Sequence, residues 1–136
     1  MSVGAHLAMA LLQVATLQPW SVAPANAGNW SYRAIPGGSE ALFGNVGGTQ
    51  LTVRCTLASR TVQLLRTGAV PGTAIVVRTT SLERTLPASA TLGARDPLLD
   101  AIAYSRGRWS MEAPGLPRLI LPSWPEAARS IEDCRK

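Results

Sequence analysis

Between Gly28 and Pro87 turn residues divide the chain at intervals of about eight to twelve positions, which leaves room for short strands and little else. Segment 30–35 (WSYRAI) alternates aromatic and polar side chains and is closed by Pro36-Gly37-Gly38. A short segment 40–43 follows, then a loose loop at 44–48 (GNVGG). In segment 50–56, Leu51, Val53 and Cys55 fall on one face while Thr52 and Arg54 fall on the other, as in a strand with one buried side. Segments 60–66, 73–79 and 82–86 continue the scheme, punctuated by Gly68, Pro71-Gly72 and Pro87. This rhythm predicts an antiparallel β-sandwich or small barrel.

The pattern changes in the last third. Asp96-Pro97 places an N-cap residue before a proline at the first helical position, and Leu98, Leu99, Ile102 and Ala103 follow at helical spacing, with Gly107 placed to end the helix. Strands are expected at 108–113 and 116–121 around a Pro114-Gly115 turn. Ser123 and Glu126 have the spacing of a capping box, which starts a final helix running to about Cys134 with Ala127, Ala128 and Ile131 inward. The expected class is therefore mainly β with α: a sandwich or small barrel, one mid-chain helix, and a C-terminal helix.

The compartment is read from the opening. Residues 5–20 (AHLAMALLQVATLQPW) contain no Lys, Arg, Asp or Glu, and Ala25-Asn26-Ala27 then supplies small residues at both positions of an A-x-A cleavage site. An apolar core followed by such a site is the layout of a secretory signal peptide. The run is too short, and too interrupted by Gln13 and Gln18, for a comfortable membrane span of about 20 apolar residues. No basic residue precedes it, so an uncleaved anchor or a buried N-terminal helix is the competing reading. The expectation is a signal peptide over 1–27 and one β-rich domain over 28–136, periplasmic or secreted, with no stable membrane insertion after the leader is removed.

The two cysteines, Cys55 and Cys134, both lie in the expected domain, and an even count in an exported chain predicts a disulfide. It would close a loop of about 79 residues, to which the chain-entropy model assigns about 4.5 kcal/mol. Such a bridge staples the last helix to a strand of the first half.

The chemistry that remains is limited. His6, the only histidine, falls in the expected leader, so the domain has no imidazole for a Ser-His-Asp or Cys-His mechanism and lacks the commonest transition-metal ligand. Bridged cysteines supply neither a nucleophile nor a zinc thiolate. No P-loop, G-x-G-x-x-G or G-x-S-x-G motif is present. No catalytic residue, metal site or cofactor is expected. Carboxylate-only hydrolysis remains as an alternative, since two acids suffice for glycoside cleavage, although the eight acids reveal no pair.

The net charge of +5 rests almost wholly on arginine, because Lys136 is the only lysine. Arg106, Arg108 and Arg118 sit beside Trp109 and form the candidate ligand-binding group, since guanidinium and aromatic surfaces together take anionic or ring-bearing ligands. The competing reading puts these arginines on a solvated face and Trp109 in the core, with Trp30, Phe43 and Trp124 as further core aromatics. Export removes nucleic acid as a partner.

The order DPLLDAIAYSRG, RWSMEA, Pro-Gly turn, LPRLILP and SWPEAARSIEDC resembles the C-terminal part of small secreted alphaproteobacterial proteins of the invasion-associated locus B type. The resemblance covers roughly the last third of the chain. It implies an exported β-sandwich and carries no site residue with it. The expected role is a non-enzymatic domain that binds an envelope component, protein or glycan. The alternative is an inhibitor of a hydrolase such as lysozyme, with loop 44–48 as the blocking element.

Overall fold

The computed structural model describes residues 18–136, so most of the apolar run expected as the leader's core lies outside the described residues. Nine strands form two antiparallel sheets. The first contains β1 (Asn29–Ile35), β2 (Gly38–Asn45), β3 (Gly48–Thr56), β4 (Thr61–Arg66) and β7 (Thr91–Gly93), in the order β1-β2-β3-β4-β7. The second contains β5 (Ala74–Arg78), β6 (Glu83–Pro87), β8 (Arg108–Glu112) and β9 (Leu119–Pro122), in the order β6-β5-β8-β9. Helix α1 (Pro97–Ala103) links β7 to β8, and α2 (Pro125–Asp133) follows β9. No helix among the described residues is long and apolar enough to cross a membrane.

The alternation read from the sequence places the core. Phe43, Leu51, Val53, Val62 and Leu64 of the first sheet join Ile75, Val77, Trp109, Met111, Leu119 and Leu121 of the second in one buried cluster. Trp30 ties the sheets together: its ring lies 5.5 Å from Phe43 and 6.3 Å from Trp109, while its Nε1 donates to the Pro122 carbonyl at 2.9 Å. Two sheets sharing one core make this a sandwich rather than a closed barrel.

The segment 44–48 is tighter than a loose loop. β2 runs on to Asn45, β3 begins at Gly48, and Val46-Gly47 alone make the turn, with a bulge between Phe43 and Gly44. Asn45 Oδ1 accepts from the Gly47 amide at 2.8 Å, a local bond that favours a short hairpin over a long loop. One turn earlier, Gly38 meets Cys55 so closely that a Cβ there would stand 1.9 Å from the Cys55 carbonyl oxygen. Only glycine permits that approach.

Both helices form where expected, with different ends. Asp96 caps α1 by accepting from the Leu98 amide at 2.9 Å, and Arg84 clamps the same carboxylate at 2.6 and 2.9 Å. The helix stops at Ala103 and is capped at Tyr104, earlier than Gly107, which lies in the turn into β8. Ala101, rather than Ala103, completes the inner face. At α2 the expected capping box does not form. Pro125 takes the first helical position, so Trp124 is the N-cap and Ser123 falls one residue short, its hydroxyl unpartnered, as is Glu126 Oε1. Trp124 is correspondingly 43% exposed and is not a core aromatic. Ser130 takes the inner position expected of Ala128, because its hydroxyl meets Ser39 Oγ on β2 at 3.2 Å.

Cys55 and Cys134 are bonded, with Cα atoms 5.7 Å apart and both residues fully buried. Helix α2 lies against β1, β2, β3 and α1, and the bridge locks its end to β3.

Candidate functional site

The candidate ligand group from the sequence is dispersed. Trp109 is 1% exposed and stacked on Trp30, so it offers no surface to a ligand. Arg108 is half-buried and donates through Nη1 to the Ala23 carbonyl. Arg106 is exposed beside it, with only its backbone amide engaged, by Thr80 Oγ1. Arg118 lies beyond the Pro114-Gly115 turn. The register sets Arg108 opposite Pro122 and Met111 opposite Leu119, which puts Arg118 at the other end of the hairpin. At about 3.4 Å per residue, Arg108 and Arg118 are separated by roughly 13 Å of strand.

The acids decide which arginines are available. Glu40 takes Arg33 and Arg54, Arg78 takes Glu83 and Glu112, Arg84 takes Asp96, and Arg135 takes Asp100 and Glu132. Asp133 stands 3.7 Å from Lys136. Among the acids only Glu126 has no ion pair among the described residues. Burial works to raise the Glu40 carboxyl, but the hydrogen bonds of Arg54 and Arg33 outweigh it and hold it below its ordinary range. The Arg84 hydrogen bonds do the same for Asp96. Among the described residues no three His, Cys, Asp or Glu side chains gather into a metal-holding group.

Part of the surplus positive charge lines a concave surface. Arg60, Gly93, Ala94, Arg95, Cys134, Arg135 and Lys136 line an open cleft of about 510 Å³. Three separate stretches build it: the turn between β3 and β4, the link from β7 to α1, and the residues after α2. Two hydrogen bonds weld them together: the Ala94 amide donates to the Arg60 carbonyl at 3.0 Å, and the Arg135 side chain donates through Nε to the Ala94 carbonyl at 2.7 Å. The Cys55–Cys134 bridge is the third weld.

The side chains at this cleft are of two kinds. Arg135 is structural through Nε and Nη1, the latter 2.8 Å from Asp100 and 3.1 Å from Glu132, yet its buried Nη2 has no partner. Arg60 and Arg95 are exposed, and among the described residues their guanidinium groups have no ion pair or hydrogen bond. Arg60 also has φ +51°, a left-handed conformation that costs a non-glycine residue of order 1 kcal/mol. Glycine or asparagine would occupy that turn position more cheaply. Guanidinium forks at a cleft can bind a carboxylate or phosphate bidentately.

No protein-family model matches this chain, and no curated protein or solved structure matches it significantly.

Proposed function

We propose that this protein is an exported, non-enzymatic binding domain of the periplasm or the extracellular space, and that it engages an anionic component of the envelope, glycan or protein, through the Arg60–Arg95–Arg135–Lys136 cleft. One observation carries the reading: two arginines that have no ion pair among the described residues, one of them on a strained backbone, line a cleft beside a buried disulfide. The leader-like opening and the disulfide support export, since such bridges persist in oxidising compartments. The likeness of the last third to small secreted alphaproteobacterial proteins belongs to the same proposal.

The working parts follow from the geometry. Arg60 and Arg95 supply exposed guanidinium groups from two walls, while Arg135, anchored by Asp100 and the Ala94 carbonyl, forms the floor between them. Lys136 adds a point charge at the rim, 80% exposed. Binding of this kind weakens with salt, because exposed charges are screened within about 10 Å at 0.1 M ionic strength. The test is a titration of the purified protein against envelope fractions separated into glycan and protein. Saturable binding to one fraction, weakened about tenfold or more by Arg60→Ala with Arg95→Ala, is expected. Arg106→Ala, outside the cleft, leaves it unchanged. Saturation by no fraction, or an unaffected double variant, overturns the proposal.

A further inference from the structure

Strand β9 ends the second sheet, and the side away from β8 has no neighbouring strand. Among the described residues, Trp30 Nε1 meets the Pro122 carbonyl at its end and Asn26 covers its middle. The Asn26 amide donates to the Ile120 carbonyl at 2.9 Å, and Asn26 Oδ1 accepts from the Ile120 amide at 2.7 Å. Both main-chain groups of Ile120, a residue only 3% exposed, are thus satisfied from outside the sheet. Buried backbone groups are nearly always paired, so Asn26 is part of the fold. It nevertheless sits within the motif Ala25-Asn26-Ala27, where a cut after Ala27 would discard it.

A second small-x-small motif overlaps the first: Ala23-Pro24-Ala25. We infer that the leader is cut between Ala25 and Asn26, so that Asn26 becomes the first residue of the exported domain and remains on the edge of β9. The inference rests on the export reading above. A signal peptidase would hydrolyse the Ala25–Asn26 amide with one water, leaving a carboxylate on Ala25 and an amino group on Asn26. That new ammonium takes the place of the amide that donates to Ile120, and a charged donor strengthens the bond.

The surroundings of the two bonds favour the same choice. Pro24 and Ala25 are exposed. Gly28, by contrast, is wedged against the β2–β3 hairpin: a Cβ there would stand 2.7 Å from the Gly44 carbonyl oxygen and 2.9 Å from the Phe43 ring. The Ala27 carbonyl is held by Asn45 Nδ2 at 3.3 Å. A cut after Ala25 keeps those contacts and, among the described residues, gives up the burial of Ala23 and the Arg108 bond to its carbonyl.

The experiment expresses the full chain with its own N-terminus in a Gram-negative host. The exported protein is then examined by intact mass and N-terminal sequencing. A chain beginning at Asn26 is the expected product. A chain beginning at Gly28, or at any other residue, overturns the inference while leaving export standing. Full-length protein retained in the cytoplasm overturns both. A second readout is amide exchange in the full chain carrying Asn26→Ala. Exchange at Ile120 should accelerate about tenfold or more while core amides such as Val53 stay unchanged. Equal protection at Ile120 would show that Asn26 does not hold the β9 edge.

Discussion

Reducing the Cys55–Cys134 bridge removes a single covalent constraint and leaves almost every native contact in place. The Cα atoms are already 5.7 Å apart in a fully buried site, so the two thiols need local side-chain adjustment to separate their sulfurs and no backbone movement. The effect therefore lies chiefly in the unfolded chain, where a loop of 79 residues is released. The chain-entropy model assigns this release about 4.5 kcal/mol at 25 °C. A domain of this size has an unfolding entropy of about 0.24 kcal/mol/K, so the midpoint should fall by about 19 °C. The assay is thermal unfolding followed by circular dichroism, with and without a phosphine reductant. Urea unfolding run in parallel should show a larger m-value for the reduced protein, because its unfolded chain is less compact. A midpoint shift below about 5 °C, or an unchanged m-value, would refute the account in which the bridge acts through the unfolded state.

Three further outcomes follow from particular contacts. Trp109→Ala should cost about 3–5 kcal/mol, because it empties the space against Trp30 between the sheets, whereas Trp124→Ala should change stability by only about 0.5 kcal/mol. Urea titration of both variants checks the contrast, and equal losses would contradict the placement of the two rings. Asp96→Ala removes both the cap of α1 and the partner of Arg84 and should cost about 1–2 kcal/mol in the same assay. Glu40, held below its ordinary value of 4.5 in the folded protein, stabilises the fold above that pH, and its contribution disappears as the pH falls through the lowered folded value. Glu40→Gln should therefore cost about 1–3 kcal/mol at neutral pH and shrink the loss of melting temperature between about pH 6 and about pH 3. An acid limb as steep as that of the native protein would show that the Arg33–Glu40–Arg54 ladder contributes nothing to acid sensitivity.

The elements most legible in the sequence are those whose signal is local. Asp96-Pro97 marks the start of α1 because both the cap and the proline act within one turn, and Leu51, Val53 and Cys55 mark the buried face of β3 because strand periodicity needs only one strand. Errors arise where a neighbour decides. Ser123 satisfies the capping-box spacing, but Pro125 is the better first helical residue and moves the start of α2 by one position. β7 has only three residues, paired with Thr61, Val62 and Gln63, and shows no periodicity of its own. The arginines near Trp109 are adjacent in sequence, yet strand alternation buries Trp109 and the hairpin separates Arg118 from Arg108.

The cationic cleft shows the opposite case, residues remote in sequence that the bridge brings together. Arg60 follows Cys55 by five positions and Arg135 follows Cys134 directly, so pairing the cysteines already implied that these two cations share a neighbourhood. What the pairing did not supply was Arg95, whose position depends on the short β7 strand and the Ala94 bonds to Arg60 and Arg135. Because Cys134 itself lines the cleft, the staple and the site are one construction. Breaking the bridge removes the covalent tie at the end of α2 and leaves Arg135 held by its bonds to the Ala94 carbonyl, Asp100 and Glu132, while Arg60 and Arg95 stay with the sheet. Under the proposed anion-binding role, reduction should weaken binding at temperatures where the reduced sandwich is still folded, and a titration giving equal affinity with and without reductant would refute that coupling of staple and site.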